Sequence, residues 1–180
     1  MTGTAPAAPA SSPRAGLLAR LGAALYEALL ATALVFITGF LMLPLVSPGT
    51  AATATELSVP PVPVRVILFC ALFSVVALYF VWSWTGGRRT LPLKTWRMRI
   101  AQPDGSPPTP RVALLRYLAA WIGPALALIV FLILRESGHG KIALVLLALN
   151  FAWALIDPDR QFLHDRIAGT RILKDTRAQS

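Results

Sequence analysis

Four long apolar stretches constrain this 180-residue chain more than any other feature. The first contains a single charged residue, Glu27, and the other three contain none. A helix needs about 20 residues to cross the roughly 30 Å hydrocarbon core of a membrane, and the first three stretches are long enough. The short fourth stretch fits a buried or half-spanning helix, but we favour a span that starts near Lys141, whose long side chain can reach back to the interface. The predicted spans are residues 21–46, 66–84, 117–134 and 142–156.

The composition supports a membrane protein. Hydrophobic residues make up 56% of the chain and charged residues 14%, against about 45–50% and 25% in ordinary soluble domains. The net charge of +9 suggests nucleic acid at first, but a nucleic-acid-binding protein carries its basic patch on a soluble surface, so we expect no such partner. A single cysteine, Cys70, excludes an internal disulfide and is interpreted as a packing residue.

The residues before the first apolar stretch read as a tail rather than as part of a signal peptide. Residues 1–16 are rich in Ala, Pro, Ser and Thr and lack apolar periodicity, which predicts a disordered cytoplasmic tail. The small residues at 50–56 resemble a cleavage site, so a cleaved signal peptide is the alternative for the first stretch. That stretch is much longer than the 7–15 apolar residues of a signal peptide, and a long tail precedes it. We therefore interpret it as a membrane span.

The distribution of Lys and Arg predicts which side of the membrane each loop faces. Cytoplasmic loops collect these cations. Seven of the 17 lie in loop 85–116, five follow residue 156 and two lie near the first span, whereas the opposite loops hold three. Four spans with both termini in the cytoplasm satisfy this pattern. We expect the cytoplasmic cations to contact anionic lipid head groups, at roughly 1 kcal/mol each near the surface.

Loop 85–116 and the C-terminal residues contain short structured pieces. Thr90–Thr95 is predicted to form a helical turn in the interface, with Trp96 at head-group level. The alternation of apolar and basic residues in WRMRI is typical of a half-buried strand. We therefore predict that Arg97–Ala101 pairs with Thr170–Lys174 as a small ribbon under the membrane. The alternative is an irregular basic loop, because an isolated two-stranded pair is marginally stable.

Several motifs along the chain recur together in one family of membrane proteins. An arginine at the start of the first span is followed by an acid seven residues later, then by RTLPLKTWRMRIAQPDG, ALLR and a closing LHDRIAGTRIL. In these motifs the chain resembles the RDD family of small integral membrane proteins, over about residues 14–174. By position Arg20 matches the family arginine, Asp165 matches the closing aspartate, and the intramembrane aspartate falls on Glu27. Pro92 stands where the family often has a Gly.

What this resemblance implies about function is limited. The RDD family has no settled biochemical function. Transport of ions or small ligands has been proposed for it, and some members look like cation/proton antiporters. The resemblance therefore implies transport only weakly.

Glu27 is the side chain that most narrows the function. It lies roughly 10 Å beyond Arg20 along a helix, and their spacing of seven places both on one face. Because charge inside lipid is costly, Glu27 must face protein or water beside a third group. It is either a proton- or cation-accepting carboxylate in a polar pocket, or a carboxylate paired to Arg116 or Arg20 that ties helices together. The candidate neighbours are Arg116, Tyr117, Asn150 and His164, and Asn150 is also interpreted as a helix-to-helix hydrogen-bonding group.

The His164-Asp165 pair is the other candidate for chemistry. The chain has two histidines, one cysteine and no G-x-S-x-G sequence, so neither a metal site, which needs several converging ligands, nor a hydrolase triad is predicted. We expect Asp165 to accept a bidentate hydrogen bond from Arg20 or Arg116, and His164 to bond a backbone carbonyl or Glu27. The predicted cytoplasmic polar cluster contains Arg20, Glu27, Arg116, His164, Asp165 and Arg166.

The sequence thus predicts an all-α polytopic membrane protein with about four transmembrane helices and a small cytoplasmic amphipathic or β-ribbon element. Its organisation is a tail over residues 1–16, an RDD-like membrane domain over 17–174 and a tail over 175–180. We expect no enzyme activity, cofactor or metal, and the composition suits a multi-pass protein of a bacterial inner membrane.

Two functions stay open at this point. One is a carrier of a cation or small solute that uses Glu27, and we expect it to form a homo-oligomer because four spans are few for a permeation path. The other is a non-transporting scaffold or partner-binding module in which the charged cluster is a structural clasp. A carrier needs Glu27 to face a hydrated cavity, whereas a scaffold needs it sealed against an arginine.

Overall fold

The computed structural model describes residues 13–46 and 59–175, most of them in helices. Three helical stretches are long and apolar enough to cross a membrane: α1 (Leu17–Val46), α2 (Val62–Trp84), and α4 (Pro110–Ala120) followed directly by α5 (Ile122–Leu134). The shorter elements are α3 (Leu91–Thr95), β1 (Met98–Ala101), α6 (Leu149–Ala152), α7 (Leu163–Ile167), β2 (Arg171–Lys174) and two 3₁₀ segments, Gly140–Ala148 and Trp153–Leu155. The predicted all-α membrane architecture is confirmed.

The long helices begin earlier than their apolar stretches. α2 starts at Val62 rather than at residue 66, and α4 starts at Pro110 rather than at residue 117. At α4 the Thr109 side chain accepts a hydrogen bond from the backbone N–H of Val112, and a proline occupies the first turn. Both features favour a helix start. Arg116 therefore lies within α4 and not in the preceding loop.

An aromatic seam holds α4 against α2. The Tyr117 hydroxyl donates a hydrogen bond to the Phe73 carbonyl at 2.9 Å, and the two rings meet edge to face with centroids 5.1 Å apart. Toward the end of α2, the rings of Phe80 and Trp84 stack at 4.7 Å. Aromatic pairs of this kind contribute about 0.5–1.5 kcal/mol beyond their buried area. The seam places Trp84 beside Arg116.

The junction of α4 and α5 lacks one helical hydrogen bond. Pro124 has no N–H to donate to the carbonyl of Ala120, four residues earlier. The side-chain amide of Asn150, on α6, donates to that carbonyl at 2.7 Å. The prediction that Asn150 is a helix-to-helix hydrogen-bonding group is therefore confirmed. Its amide pairs a backbone carbonyl that the helix itself leaves without a donor.

The fourth apolar stretch is not the regular α-helix that was predicted over residues 142–156. Residues 140–155 are mostly 3₁₀ helix, interrupted by the single turn of α6. Gly123 allows this segment to approach α5, because a Cβ atom at Gly123 would lie 2.7 Å from the Leu146 carbonyl oxygen. A 3₁₀ helix rises about 2.0 Å per residue, so residues 140–155 extend over roughly 30 Å rather than the roughly 24 Å of an α-helix.

The predicted ribbon is confirmed. β1 and β2 pair antiparallel, with Met98 opposite Lys174 and Ala101 opposite Arg171. The buried face of the sheet, which includes Ile100, packs against apolar residues at the ends of α1, α2 and α4. This packing supplies the support that an isolated two-stranded pair lacks.

The residues before α1 extend this sheet. Arg14 forms a bridge with Leu173, and the Ala15 N–H donates to the Ile172 carbonyl at 3.1 Å. The disordered tail predicted over residues 1–16 is wrong for these residues. Residues 1–12, the loop 47–58 with its small-residue segment, and residues 176–180 of the second predicted tail lie outside the described residues. The sheet therefore joins segments from near both ends of the described residues.

Candidate functional site

A buried ion pair joins α4 to α7. Arg116 Nε donates to Asp165 Oδ1 at 2.8 Å, and both side chains are almost wholly buried. The guanidinium lies 4.1 Å from the centroid of the Trp84 ring, which is a cation–π arrangement. Thr170 Oγ1 donates to the same carboxylate oxygen at 3.1 Å. We call Arg116, Asp165 and Thr170 the clasp. Arg116 is one of the two predicted partners of Asp165, but the pair shares a single hydrogen bond and is not bidentate.

The clasp keeps Asp165 ionised. Burial by itself raises the pKa of this carboxyl, but the charge of Arg116, with hydrogen bonds from Arg116 and Thr170, outweighs burial and holds the pKa below its ordinary value. Its second oxygen, Oδ2, is buried and has no hydrogen-bond partner among the described residues. The pair is therefore a charged contact with one acceptor oxygen left over.

His164 lies beside the clasp as a neutral ring. Its Nε2 is 3.3 Å from Arg116 Nη2. Because arginine can only donate, Nε2 accepts and the ring proton resides on Nδ1, a buried atom with no partner in the described structure. Burial lowers the pKa of His164 to about 4; the charge of Asp165 opposes the shift and that of Arg116 adds to it. The predicted hydrogen bond from His164 to a backbone carbonyl or to Glu27 is wrong.

Arg20 is buried near the clasp without belonging to it. Its guanidinium donates to the Arg160 carbonyl and lies 5.2 Å from the centroid of the Phe162 ring. The carbonyl belongs to a turn in which Asp157 Oδ2 accepts backbone hydrogen bonds from both neighbours of Arg160. Arg20 forms no salt bridge with any described residue, and its Nε–H has no acceptor there. The alternative that Arg20 bonds Asp165 is wrong, and Arg20 is a buried cation without a paired anion.

Glu27 binds a residue that was not among its predicted neighbours. Its Oε1 accepts a hydrogen bond from the Thr90 hydroxyl at 2.7 Å. It forms no salt bridge within the described residues. The predicted neighbours Tyr117 and Asn150 bond to backbone carbonyls instead, and Arg116 pairs in the clasp. Glu27 is therefore not sealed against an arginine.

A local signal for Thr90 is present in the sequence. Thr90 is the N-cap of α3, and its side-chain oxygen also accepts from the Leu93 N–H at 3.4 Å. A threonine before Leu-Pro is typical of a helix start. Trp96, just after α3, lies against Gly22 on α1, where an added Cβ would come within 2.8 Å of the ring. The sequence marks the cap, but the contact between α3 and α1 is what brings Thr90 to Glu27.

A cavity of about 270 Å³ separates α1 from the α4–α6 side of the molecule. Arg20 and Glu27 line it together, as their spacing of seven predicts, and so do Arg116 and His164. The remaining lining is almost entirely apolar. Alanines form the α1 wall (Ala23, Ala24, Ala28 and Ala31), and aromatic rings form much of the rest (Phe80, Trp84, Tyr117, Trp121, Phe151 and Phe162).

Arg166, the last member of the predicted cluster, lies outside it. Its side chain is half exposed and reaches Asp159 at 3.3 Å and Asp157 at 3.7 Å. Asp159 also accepts from Arg14 at 2.6 Å, and this bond lowers the pKa of the Asp159 carboxyl. Arg166 is adjacent to Asp165 in the chain, but consecutive residues of a helical turn point in different directions, so Arg166 belongs to this surface network.

The cavity brings together two ionisable groups that lack a salt bridge to any described residue. Within residues 13–46 and 59–175, no three His, Cys, Asp or Glu side chains are grouped closely enough to hold a metal ion. The cavity contains one carboxylate that is free of a salt bridge, Glu27, and one cation that lacks a paired anion, Arg20. Ionisable groups in a membrane-spanning segment that face a cavity commonly mark ion or substrate pathways.

The chain belongs to the RDD family, whose model matches residues 14–169. The match confirms the family resemblance and spans every member of the predicted polar cluster. No curated protein and no solved structure matches the chain. Together with the long apolar helices, the family match identifies a membrane protein but names no solute.

Proposed function

We propose that this RDD family protein carries a cation or a small solute across the membrane, with Glu27 as the carboxylate that exchanges a proton for the substrate. The observation that supports the proposal is the position of Glu27. It lines the cavity and accepts a hydrogen bond from Thr90, and it forms no salt bridge with a described residue.

Neither Arg116 nor Arg20 forms a salt bridge with this carboxylate. Arg116 acts on Glu27 through space, but its direct ion pair is with Asp165. Arg20 is on the same helix about two turns away, at roughly 10 Å. A carboxylate with a hydroxyl partner can take up either a proton or a cation without first breaking an ion pair. The hydroxyl of Thr90 can also turn to accept from a protonated Glu27.

A non-transporting scaffold is the second candidate, and the clasp is the observation that favours it. The Arg116–Asp165 pair ties α7, and the β2 strand that follows, to α4. In a scaffold the Glu27–Thr90 hydrogen bond would tie α3 to α1 in the same way. Movement of a solute would then not depend on Glu27. The two candidates differ in whether removing the Glu27 charge changes movement of a solute or only stability.

We also propose the placement of the protein. The sheet gathers residues from both ends of the chain on one side of the helices, which supports an even number of crossings with residues 140–155 as the fourth. Most Lys and Arg residues lie on the sheet side, which supports a cytoplasmic location for both termini in a bacterial inner membrane. The proposal includes contact of these cations with anionic head groups and a homo-oligomer as the transporting form. It assigns no enzyme activity and no cofactor.

A proteoliposome assay tests the transport proposal. The purified chain is reconstituted, and internal pH is followed after pulses of Na⁺, K⁺ or Li⁺. Three proteins are compared: the natural sequence, Glu27→Gln and Glu136→Gln. Glu136 lies in the loop after α5 and is exposed, so its variant makes the same chemical change away from the cavity. Circular dichroism and gel filtration establish that each variant is folded before flux is compared.

The expected result is proton movement on a cation pulse for the natural sequence and for Glu136→Gln, and none for folded Glu27→Gln. Equal flux in Glu27→Gln would exclude Glu27 as the exchanging group. If no cation pulse changes internal pH with the natural sequence, cation/proton antiport is excluded. The scaffold candidate would then be the one to pursue.

A further inference from the structure

Arg20 presents an unusual electrostatic situation for a buried side chain. It is 6% exposed, and buried charges are normally paired because desolvation is costly. Its described partners are the neutral carbonyl of Arg160 and the ring of Phe162, and its Nε–H has no acceptor. Asp165 and Asp157 act on Arg20 through space, but their direct contacts are elsewhere, with Arg116 and with backbone N–H groups. A charge in this state calls for an anion from outside the chain.

A second unmet donor lies in the same cavity wall. The proton that the Arg116 contact assigns to His164 Nδ1 has no acceptor within the described residues. Arg20 and His164 both line the cavity. The unmet groups of the cavity-lining residues are therefore donors, whereas the unmet Asp165 Oδ2 belongs to a residue that does not line the cavity. A complementary ligand must bring several acceptor oxygens together with negative charge. Phosphate and its esters have this chemistry, and arginine binds them well.

The rest of the cavity selects among phosphate-bearing ligands. Arg20 lies in the first turn of α1, at the sheet-side end of a helix long and apolar enough to cross a membrane. Arginines near the ends of such helices reach the depth of lipid head groups. Beyond Arg20 the cavity wall is formed by Ala24 and Ala28 on one side and by Trp121 and Phe151 on the other. A small soluble anion would gain nothing from this apolar wall. A lipid tail would be in contact with it over its length.

We propose that the Arg20 end of the cavity binds the anionic phosphate head group of a membrane lipid, with an acyl chain along the apolar wall between α1 and the α5–α6 side. The head group would lie at Arg20, about two helical turns from Glu27, and the acyl chain would lie in the same cavity that Glu27 lines. The proposal stands whether or not the protein transports a solute.

Competitive lipid binding tests the site. The full chain in a neutral detergent is incubated with equal amounts of phosphatidylglycerol and phosphatidylcholine, and bound lipid is counted by native mass spectrometry. Arg20→Gln is compared with Arg111→Gln. Arg111 is an exposed cation at the start of α4 on the same side of the membrane, so its variant makes the same charge change outside the cavity. A parallel sample receives inorganic phosphate as competitor.

We expect one phosphatidylglycerol to bind in preference to phosphatidylcholine. Arg20→Gln should weaken it roughly tenfold to a hundredfold, the range for one charge-assisted hydrogen bond, while Arg111→Gln and inorganic phosphate leave it in place. An equal loss in both variants would show general surface attraction and overturn the site. Displacement by inorganic phosphate at millimolar concentration would replace the lipid with a soluble anion.

A second variant covers the case in which Arg20→Gln does not fold. Ala24→Leu fills part of the apolar wall and leaves Arg20 intact. It should reduce bound phosphatidylglycerol by at least tenfold if the acyl chain occupies that wall. Unchanged lipid binding in folded Ala24→Leu would contradict the proposal.

Discussion

The clasp and the cavity lie side by side, and they differ in whether their charged groups are paired. In the clasp, Asp165 meets Arg116 at 2.8 Å and also receives the hydroxyl of Thr170. Across the cavity, Arg20 and Glu27 share a face of α1 with no ion pair between them. The clasp residues come from α4, α7 and the turn before β2, whereas the cavity pair is carried by one helix.

This difference separates a structural role from a binding role. Charges that come from different elements can close on each other and lock those elements together. Two charges seven residues apart on one rigid helix stay roughly 10 Å apart, so they cannot neutralise each other directly. Both stay available for a ligand, a proton or a lipid. Four predictions test this contrast, ordered from the largest expected effect to the smallest.

Breaking the clasp should cost the most stability. Asp165→Asn leaves Arg116 as an uncompensated buried charge, and we expect a loss of about 3–5 kcal/mol in the free energy of unfolding. Denaturant unfolding in detergent micelles measures it. Asp159→Asn is the control, because Asp159 makes its ion pair with Arg14 on the surface, where such pairs contribute little. A loss of similar size in both variants would show that the clasp is no more structural than the surface network.

Acid should weaken the same region. The pKa of His164 is about 4 in the folded protein and about 6.5 when unfolded, so the unfolded state binds more protons between these values. Stability is then complete above about pH 6.5 and falls as the pH drops toward 4, by roughly 2–3 kcal/mol between pH 7.5 and 4.5.

Replacement of His164 by Gln should flatten that part of the stability curve. Asp165 also makes the folded state less stable in acid, because its pKa is lowered in the folded protein. Its contribution to stability is lost at a lower pH than that of His164. His139→Gln, in the loop after α5, is the matched control and should keep the slope of the natural sequence. If stability falls with pH equally in both variants, His164 is not the source of the acid sensitivity.

The wall opposite α1 should be less sensitive than the clasp. Gly123→Ala places a methyl group 2.7 Å from the Leu146 carbonyl oxygen, and backbone cannot rotate away as a side chain can. We expect a loss of about 2 kcal/mol in the free energy of unfolding. Gly39→Ala on α1 has nothing within 4 Å of the new methyl, and should be neutral or stabilising by up to about 1 kcal/mol. Equal effects at the two glycines would mean that the close approach of residues 140–155 to α5 is absent.

The smallest stability change is expected at Glu27. Gln keeps an oxygen that can accept from Thr90 and removes a charge that has no paired cation, so Glu27→Gln should change the free energy of unfolding by less than about 1 kcal/mol. Thermal unfolding followed by circular dichroism is sufficient to detect a larger change. A loss near that of Asp165→Asn would place Glu27 with the clasp and favour the scaffold function.

Local patterns in the sequence predicted a large part of this structure. Apolar length identified the three long helices, the alternation in WRMRI predicted β1, and the spacing of Arg20 and Glu27 placed them on one face. Each of these features depends on neighbours within a few residues, so it can be read without knowing the fold. Residues 140–155 were mispredicted as a regular α-helix. An apolar stretch does not reveal that these residues form a 3₁₀ helix packed against Gly123.

Tertiary structure decides which charged and polar groups pair with each other. Thr90 reaches Glu27 across 63 residues of chain, and Asp165 pairs with Arg116 while Arg20 turns to the Arg160 carbonyl. Charge and residue type admit either arginine for Asp165, and only the packing of α7 on α4 distinguishes them. The sequence by itself determined that this is a charged cluster on a membrane helix bundle. The packing of α3 and α7 determined which of those charges are locked in pairs and which face the cavity, because a salt bridge requires its two groups to meet within a few ångströms.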